Sequence, residues 1–241
     1  MIVTRMIEIY AHRGYSGEYP ENTMAAFEAA CKANTDGIEL DVQLSKDGEV
    51  VVIHDERIDR TTNGIGYVKD LNYRQLKLYD AGSWFDRRYS RQSIPLLSEV
   101  LKMLEQRRSI TLNIELKNNL IDYDGLELKV LELLDETGLR NNAILSTFNS
   151  KSLIRLRELD SSVNTALLFE GVPSNVITDA RNNRVNAVHC EAAFAMSPAG
   201  KRTIEAGYPL RVFTVNEKEM LGKLEDAGVS AIMSDFPGLF N

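Results

Sequence analysis

Two histidines and three carboxylates are the side chains of this sequence that are best suited to chemistry. His12 and His54 each follow a short apolar run, and the carboxylates are Glu39, Asp41 and Glu115. Carboxylate oxygens suit a hard divalent cation, whereas imidazoles titrate near neutral pH and can donate or accept a proton. A metal site with an acid and a base beside it would be equipped to displace a group at a phosphate ester.

The elements that position these side chains alternate along the chain between strands and helices, as in parallel βαβ units. Eight apolar runs are predicted to be strands: Ile7–His12, Gly37–Val42, Ile110–Leu116, Ala143–Thr147, Thr165–Phe169, Ala187–Cys190, Leu210–Val215 and Ala231–Ser234. Helical periodicity is clearest in Asn22–Ala33, Leu97–Glu105 and Leu126–Leu134. The length of 241 residues also matches one barrel of ~250 residues. We therefore expect a TIM (β/α)8 barrel that forms a single domain over residues 1–241.

The segment after Asp41 departs from a plain barrel. Asp47-Gly48 is a strong signal for a two-residue type I′ turn, and a turn centred there pairs Asp41 with His54. Opposed residues of antiparallel strands point to the same face of the sheet. We therefore expect an extended β-hairpin after the second strand, which returns His54 to the carboxylates.

The segment Asp55–Pro95 is a second departure, because it is too long for an ordinary barrel connection. Barrel active sites lie at the C-terminal ends of the strands, so we expect a small insertion over that face. Trp84, Phe85 and Tyr89 could shape a pocket there, and we expect Trp84 to bind substrate. The competing interpretation is core packing, because a lone Trp is usually largely buried.

Alternation also orients the strand that carries Glu115. Asn113, Glu115 and Lys117 share one face of that strand, and the apolar opposite face suits the helix layer. The polar face should then point into the barrel, toward Glu39 and Asp41. Three converging carboxylates cannot all stay ionised without a cation, so we predict a Mg²⁺ or Ca²⁺ site. Taken singly, each could instead be a surface or salt-bridged acid.

Further polar residues could contact a substrate. Arg13 follows His12 and could hold a phosphate bidentately, and Lys117 adds a compact positive charge; either could instead pair with a neighbouring carboxylate. Asn22 and Thr23 are expected to cap the first helix; capping is the first interpretation of Asn22, with contact to substrate or to the metal ligands as the alternative. His189 also ends a strand and is interpreted as structural.

The bulk composition excludes several classes of protein. A hydrophobic share of 44% without a long apolar run predicts no membrane-spanning segment. A net charge of −7 without a Lys/Arg stripe argues against a nucleic-acid partner. Cys31 and Cys190 form no recognisable pair or metal motif, as expected in a reducing cytosol, and the first strand leaves no room for a signal peptide. We therefore expect a cytoplasmic protein with a small-molecule substrate.

A series of short motifs then points to a family. They occur in this order: His12-Arg13-Gly14, Pro20-Glu21-Asn22-Thr23, Glu39-Leu40-Asp41-Val42, Lys46-Asp47-Gly48, Val51-Val52-Ile53-His54-Asp55, Arg60-Thr61-Thr62-Asn63-Gly64, Ala81-Gly82-Ser83-Trp84, Glu115-Leu116-Lys117, Phe213-Thr214-Val215-Asn216 and Ser234-Asp235-Phe236-Pro237. Together they resemble the bacterial glycerophosphodiester phosphodiesterases, of the phospholipase C-like phosphodiesterase superfamily. The resemblance extends from His12 to Pro237.

The resemblance implies hydrolysis of glycerophosphodiesters to an alcohol and sn-glycerol 3-phosphate, with a divalent cation on a barrel scaffold. It implies that His12 accepts the nucleophile's proton and that His54 protonates the leaving alkoxide. The nucleophile would be a water or the substrate's own glycerol hydroxyl. The remaining positions carried over from the family are the metal ligands Glu39, Asp41 and Glu115, the phosphate contacts Arg13 and Lys117, and an aromatic wall for substrate at Phe213.

Three other functions remain open from the sequence. The same chemistry on lysophospholipids would make the protein a lysophospholipase D, which exposed apolar residues on the insertion would favour. A phospholipase C-like lyase would form a cyclic phosphate by attack of a substrate hydroxyl. A non-catalytic barrel could only bind phosphorylated ligands, but such a protein would be expected to lack a histidine or a metal ligand, and this chain has all five.

Overall fold

The computed structural model describes residues 7–240, so the two ends of the predicted domain 1–241 lie outside the described residues. Its strands are β1 (Glu8–Ala11), β2 (Gly37–Leu44), β3 (Val50–Val52), β4 (Thr111–Leu116), β5 (Ala143–Thr147), β6 (Thr165–Leu168), β7 (Ala187–Cys190), β8 (Leu210–Val212) and β9 (Ala231–Ser234). Its helices are α1 (Met24–Lys32), α2 (Tyr73–Leu76), α3 (Leu97–Leu104), α4 (Leu126–Glu136), α5 (Ser150–Leu159), α6 (Val176–Asn182), α7 (Ala192–Ala195), α8 (Pro198–Glu205) and α9 (Glu219–Asp226). Short 3₁₀ turns occur at Val68–Asp70, Arg87–Tyr89, Arg140–Asn142 and Pro237–Phe240.

Eight parallel strands close into a barrel. Around the barrel the order is β1, β2, β4, β5, β6, β7, β8 and β9, and β9 pairs with β1 to complete the ring. The ninth strand, β3, runs antiparallel to β2 as the return strand of a hairpin. The fold is therefore the predicted TIM barrel with an extra strand after β2.

Side-chain alternation along the strands separates two apolar layers. Outward-facing residues of β2 such as Leu40 pack against α1 and α3 through Phe27 and Leu101. Inward-facing residues, among them Tyr10 and Met233, form a separate cluster inside the barrel. Toward the C-terminal ends of β2 and β4 the inward-facing residues become polar. Charged groups therefore lie at one end of an otherwise apolar barrel.

The hairpin register differs by one residue from the predicted register, so that prediction was wrong. Val42 pairs with Val52, and the Ile53 N–H donates to the Asp41 carbonyl at 3.0 Å, so Asp41 does not lie opposite His54. Gly48 has a φ of 79°, but Asp47 is not in the left-handed region that a type I′ turn also requires there. A longer loop with one left-handed residue replaces the two-residue turn and shifts the pairing.

The insertion Asp55–Pro95 has a small core of its own against the hairpin. Ile58, Val68 and Leu76 pack on Val51 and Ile53, which flank the end of β3. The insertion also reaches the loop after β1, where the Tyr89 hydroxyl donates to the Glu18 carbonyl at 3.4 Å. It therefore packs beside the strand ends that carry the candidate site.

Between residues 7 and 240, none of the helices combines the length and the apolar character needed to cross a membrane.

Candidate active site

A cavity of about 320 Å³ opens at the C-terminal ends of the barrel strands. It brings together seven residues singled out in the sequence, which are His12, Arg13, Glu39, His54, Glu115, Lys117 and Phe213. Asp41 lies behind this surface and is buried. Trp84 does not line the cavity: its indole N–H donates to the Ala81 carbonyl at 2.9 Å, its ring packs edge-on against Phe85, and 40% of the side chain is exposed. Substrate contact by Trp84 stays a prediction.

The three carboxylates converge as the strand pattern predicted. Asp41 and Glu115 are direct register partners on β2 and β4, and Glu39 lies two residues earlier on the same face of β2. One oxygen atom from each of the three lies within 4.8 Å of the others. Asp41 Oδ1 is buried and has no hydrogen-bond partner within residues 7–240. Because hard divalent cations prefer clustered oxygen ligands, this cluster fits Mg²⁺ or Ca²⁺.

Mutual repulsion of the three carboxylates affects the pKa values within this cluster. Burial raises the pKa of Glu39 well above its ordinary value, and the charges of Asp41 and Glu115 raise it further. Burial also raises the pKa of Glu115, with the Asp41 charge acting in the same direction. Burial would also raise the pKa of Asp41, but the charges of Arg13 and His54 outweigh this effect and lower the pKa. A bound cation would relieve the repulsion that the two glutamates experience.

His12 is held by the carboxylate of Asp235, the residue that follows the last strand of the barrel. Its Nδ1 lies 2.7 Å from Asp235 Oδ1, which also accepts from the Ser16 hydroxyl at 2.9 Å. The other Asp235 oxygen accepts from the Asn216 amide at 2.7 Å. Burial would raise the pKa of Asp235, but His12 holds it at about 2. The carboxylate therefore fixes the orientation of the imidazole through its Nδ1 atom. The Nε2 atom of His12 lies at the cavity, 4.0 Å from Glu39 Oε2.

His54 has the same arrangement with its neighbour in sequence. Its Nδ1 lies 2.6 Å from Asp55 Oδ1, and Arg60 Nε donates to Asp55 Oδ2 at 2.7 Å. Burial would raise the pKa of Asp55, but hydrogen bonds from Arg60 and His54 lower it. Nε2 of His54 lies 3.3 Å from Lys117 Nζ. Both imidazoles therefore direct Nε2 toward the same cavity.

His54 reaches this position because Gln43 holds the chain as it leaves the hairpin. Gln43 is fully buried on β2, and its amide donates to the carbonyls of Ile53, His54 and Asp55 at 3.2, 3.0 and 2.7 Å. Its oxygen accepts from the Tyr123 hydroxyl at 2.8 Å. These bonds, rather than the predicted strand pairing, return His54 to the carboxylates.

Arg13 lies at the centre of the acidic groups. Its backbone N–H donates to Glu39 Oε2 at 2.8 Å, and its guanidinium donates to Glu21 Oε1 at 2.9 Å and lies 3.5 Å from Asp41. Its φ of 54° is a left-handed conformation that costs energy in a non-glycine residue. At the following Gly14, a Cβ atom would lie 2.7 Å from the Ala26 backbone, so glycine is required for this close approach.

Lys117 is the second cation on the cavity wall. Its Nζ donates to Glu115 Oε1 at 2.7 Å, in addition to its approach to His54. Burial alone would lower the pKa of Lys117, but the charges of Glu115 and Asp41 raise it above its ordinary value. Lys117 therefore keeps its positive charge and lies between a carboxylate and an imidazole. Its contact with Glu115 is the pairing with a neighbouring carboxylate that the sequence left open as an alternative.

Asn22 does not cap α1, so the first interpretation of this residue was wrong. Thr23 is the cap, and its hydroxyl accepts from the Ala26 N–H. Asn22 instead donates from its amide to Asp41 Oδ2 at 2.8 Å. It therefore fixes one of the three carboxylates, in keeping with the alternative interpretation.

Sequence reasoning assigned no role to Asp55, Glu21, Gln43 or Asp235. The adjacency of Asp55 to His54 was a usable signal, since carboxylates commonly orient an imidazole. Asp235 could be placed beside His12 only after the closing pair β1–β9 was known. His189, by contrast, is buried in the barrel, where burial and the Arg211 charge hold its pKa well below the ordinary value.

Comparisons with known proteins agree over nearly the whole chain. The sequence profile of the glycerophosphoryl diester phosphodiesterase family matches residues 12–239. A glycerophosphodiester phosphodiesterase of Bacillus altitudinis is 39% identical over 236 residues, with 96% of each chain covered. One from Caldanaerobacter subterraneus is 36% identical over 229 residues, covering 95% of this chain and 94% of its own. Among solved structures, an Oleispira antarctica phosphodiesterase in complex with the product sn-glycerol-3-phosphate has a TM-score of 0.89 and 30% identity, covering 98% of this chain and 95% of its own.

Proposed function

The chain belongs to the glycerophosphoryl diester phosphodiesterase family, and we propose that it hydrolyses glycerophosphodiesters to an alcohol and sn-glycerol 3-phosphate with the help of a divalent cation. The observation that carries this proposal is the single cavity that joins the carboxylate cluster to His12 and His54. The relative solved with sn-glycerol-3-phosphate supports a small-molecule substrate of this class.

Glu39, Asp41 and Glu115 would hold the cation. The donor set is all-oxygen, and the unpartnered Asp41 Oδ1 is available as a ligand, which favours Mg²⁺ or Ca²⁺ over softer metals. When bound, such a cation offsets negative charge on the phosphate oxygens and orients the phosphate. The backbone N–H of Arg13 and the amide of Asn22 fix the orientations of Glu39 and Asp41.

The two histidines would move the protons. We assign His12 as the acceptor of the nucleophile's proton and His54 as the donor to the departing alkoxide. Asp235 and Asp55 hold the two Nδ1 atoms, so each imidazole exchanges its proton at Nε2. The carboxylate behind each ring also stabilises the protonated form that arises during the reaction.

Arg13 and Lys117 would bind the phosphate. Both line the cavity, and both already lie beside carboxylates that orient them. In a protein of net charge −7, attraction of an anionic diester has to be local, and these two cations supply it. Phe213 would form an aromatic wall against the organic part of the substrate.

Product analysis tests this function. The purified protein with Mg²⁺ or Ca²⁺ is incubated with a panel of glycerophosphodiesters and with lysophosphatidylcholine, and the phosphorus-containing products are identified by ³¹P NMR. We expect sn-glycerol 3-phosphate from the small diesters. A stable cyclic glycerophosphate as the end product would indicate a lyase, and turnover confined to the lysophospholipid would indicate a lysophospholipase D; either result would contradict the proposal.

A further inference from the structure

The mouth of the barrel is divided into two unlike halves. One half is formed by the neighbouring strands β1, β2 and β4 and the residues that directly follow them. It contains His12, the three carboxylates, Arg13 and Lys117, and the chain after the hairpin adds His54. The opposite half, from β5 to β9, lines the same cavity with Phe148, Leu168, Glu170, Phe213, Thr214 and Met233. With the phosphate over the first half, as the proposed function has it, an organic group of the substrate would lie over the second. Glu170 is the one charged residue that this second half contributes to the cavity lining within residues 7–240.

The chain on both sides of Glu170 is anchored. On one side, Phe169 packs edge-on against Phe194 with the ring centroids 4.7 Å apart. On the other side, the Gly171 N–H donates to Glu191 Oε2 at 2.7 Å. Glu170 itself is exposed and makes no hydrogen bond or ion pair with any residue from 7 to 240. The backbone that bears Glu170 is thus anchored at the cavity rim, and the carboxylate oxygens are available to a ligand.

Aromatic surface lies in the same half of the cavity. Lys117 Nζ lies 5.9 Å from the centroid of the Phe148 ring, so that ring already has a cation beside it. Within residues 7–240, no Lys or Arg side chain lies over the Phe213 ring, which packs on the apolar cluster inside the barrel. Ring faces attract ammonium groups, and quaternary ammonium ligands are commonly recognised by aromatic side chains.

We propose that Glu170, together with the ring of Phe213, selects glycerophosphodiesters whose alcohol carries an ammonium group, as choline and ethanolamine do. This inference rests on the proposed function. The charges of the two halves are matched to such a substrate, because Arg13 and Lys117 attract the phosphate and repel the ammonium. Glu170 attracts the ammonium from the opposite side of the cavity, so a zwitterionic diester gains at both ends.

Steady-state kinetics of Glu170→Gln test this proposal. The substrates are glycerophosphocholine and the diester of glycerophosphate with a second glycerol, which is neutral at its alcohol end. Glutamine keeps the size of the side chain and removes its charge. Because Glu170 is solvent-exposed, we expect the ratio of kcat/KM for the cationic over the neutral diester to fall about 3- to 10-fold, with a larger fall for Glu170→Lys. Added salt should lower the same ratio in the wild type.

The control is Glu132→Gln, which removes the same charge from an exposed position on α4 and should leave the ratio unchanged. An unchanged ratio in Glu170→Gln, or equal losses on both diesters, would overturn the proposal while the hydrolytic function stands. If the wild type releases sn-glycerol 3-phosphate from neither diester, the proposed function itself is overturned.

Discussion

His12 and His54 reach the cavity from different elements, yet each has its Nδ1 atom beside a carboxylate and its Nε2 atom beside residues that line the cavity. A pair of this kind can perform both proton transfers of a phosphodiester displacement, provided that one accepts while the other donates. The arrangement is symmetrical at the level of hydrogen bonds, so the direction of transfer has to be read from kinetics.

Substitution of each histidine should separate the two roles. His12→Ala and His54→Ala are each expected to lose at least ~10²-fold in kcat while retaining the fold and the metal. A substrate with an activated leaving group should restore much of the rate to His54→Ala but not to His12→Ala, because a good leaving group needs no proton. His189→Asn, in the barrel interior, is the control and should show no such dependence on the leaving group. Near-normal rates in both alanine variants would contradict the two-histidine mechanism.

The raised pKa of Glu39 predicts how the stability of the metal-free protein depends on pH. Its pKa is raised in the folded protein, so the folded state binds the proton more tightly than the unfolded state does. Without metal, stability should therefore fall as the pH rises from the ordinary value of ~4.3 through the raised value. Glu39→Gln should reduce this fall, leaving the contribution of Glu115, whose pKa is also raised, and should raise the Tm of the metal-free protein near pH 7, as measured by calorimetry.

Bound metal should reverse the order of stability of the wild type and Glu39→Gln. A ligand at 100 times its Kd adds about 2.7 kcal/mol to the free energy of unfolding of the form that binds it. The wild type should gain this stabilisation from Mg²⁺ or Ca²⁺, and Glu39→Gln should gain much less. A metal-free Glu39→Gln protein that is less stable than the wild type would show that the three carboxylates do not repel one another.

Among the elements of the fold, the insertion contributes to the site through Arg60. This side chain donates to both oxygens of Asp55 and to both oxygens of Glu21, so one residue supports His54 and Arg13 together. Burial would raise the pKa of Glu21, but Arg60 and Arg13 lower it. The insertion therefore orients residues of the site, in addition to covering the end of the hairpin.

Arg60→Gln should reduce kcat/KM about 10-fold with little change in Tm, since supporting partners of catalytic residues typically contribute that much and exposed ion pairs add little stability. Arg57→Gln is the matched control: Arg57 lies in the same insertion, is equally exposed at 43% against 44%, and pairs with Asp59. Kinetics and thermal melts of the two variants would be measured side by side. Equal kinetic losses in both would mean that the insertion acts only through its own packing.

Much of the element order could be predicted from the sequence. Runs of four to seven residues marked the barrel strands, and the alternation along β4 and the residue after it correctly placed Glu115 and Lys117 at the cavity. The hairpin register could not be predicted, because Asp47-Gly48 is compatible with loops of different length that shift the pairing by one residue. His54 nevertheless reaches the site, since Gln43 binds three successive carbonyls after the strand. That contact depends on tertiary geometry and has no local pattern.

At the scale of the whole molecule, closure of the barrel creates the site. Asp235 is separated from His12 by 223 residues and becomes its partner only when β9 pairs with β1. Closure also sets the charged half of the mouth against the half that carries Phe213 and Glu170. In the proposed function, the separation into halves would let an acidic protein bind an anionic phosphate and offer a different surface to the organic group of the substrate.

We propose that the carboxylate cluster holds a cation on which hydrolysis depends. The most direct test measures the release of sn-glycerol 3-phosphate from a glycerophosphodiester before chelation, after chelation, and after addition of Mg²⁺ or Ca²⁺. We expect chelation to abolish release, either or both cations to restore it, and Glu39→Gln to require a much higher metal concentration. Full release of sn-glycerol 3-phosphate in excess chelator would contradict the dependence on a cation.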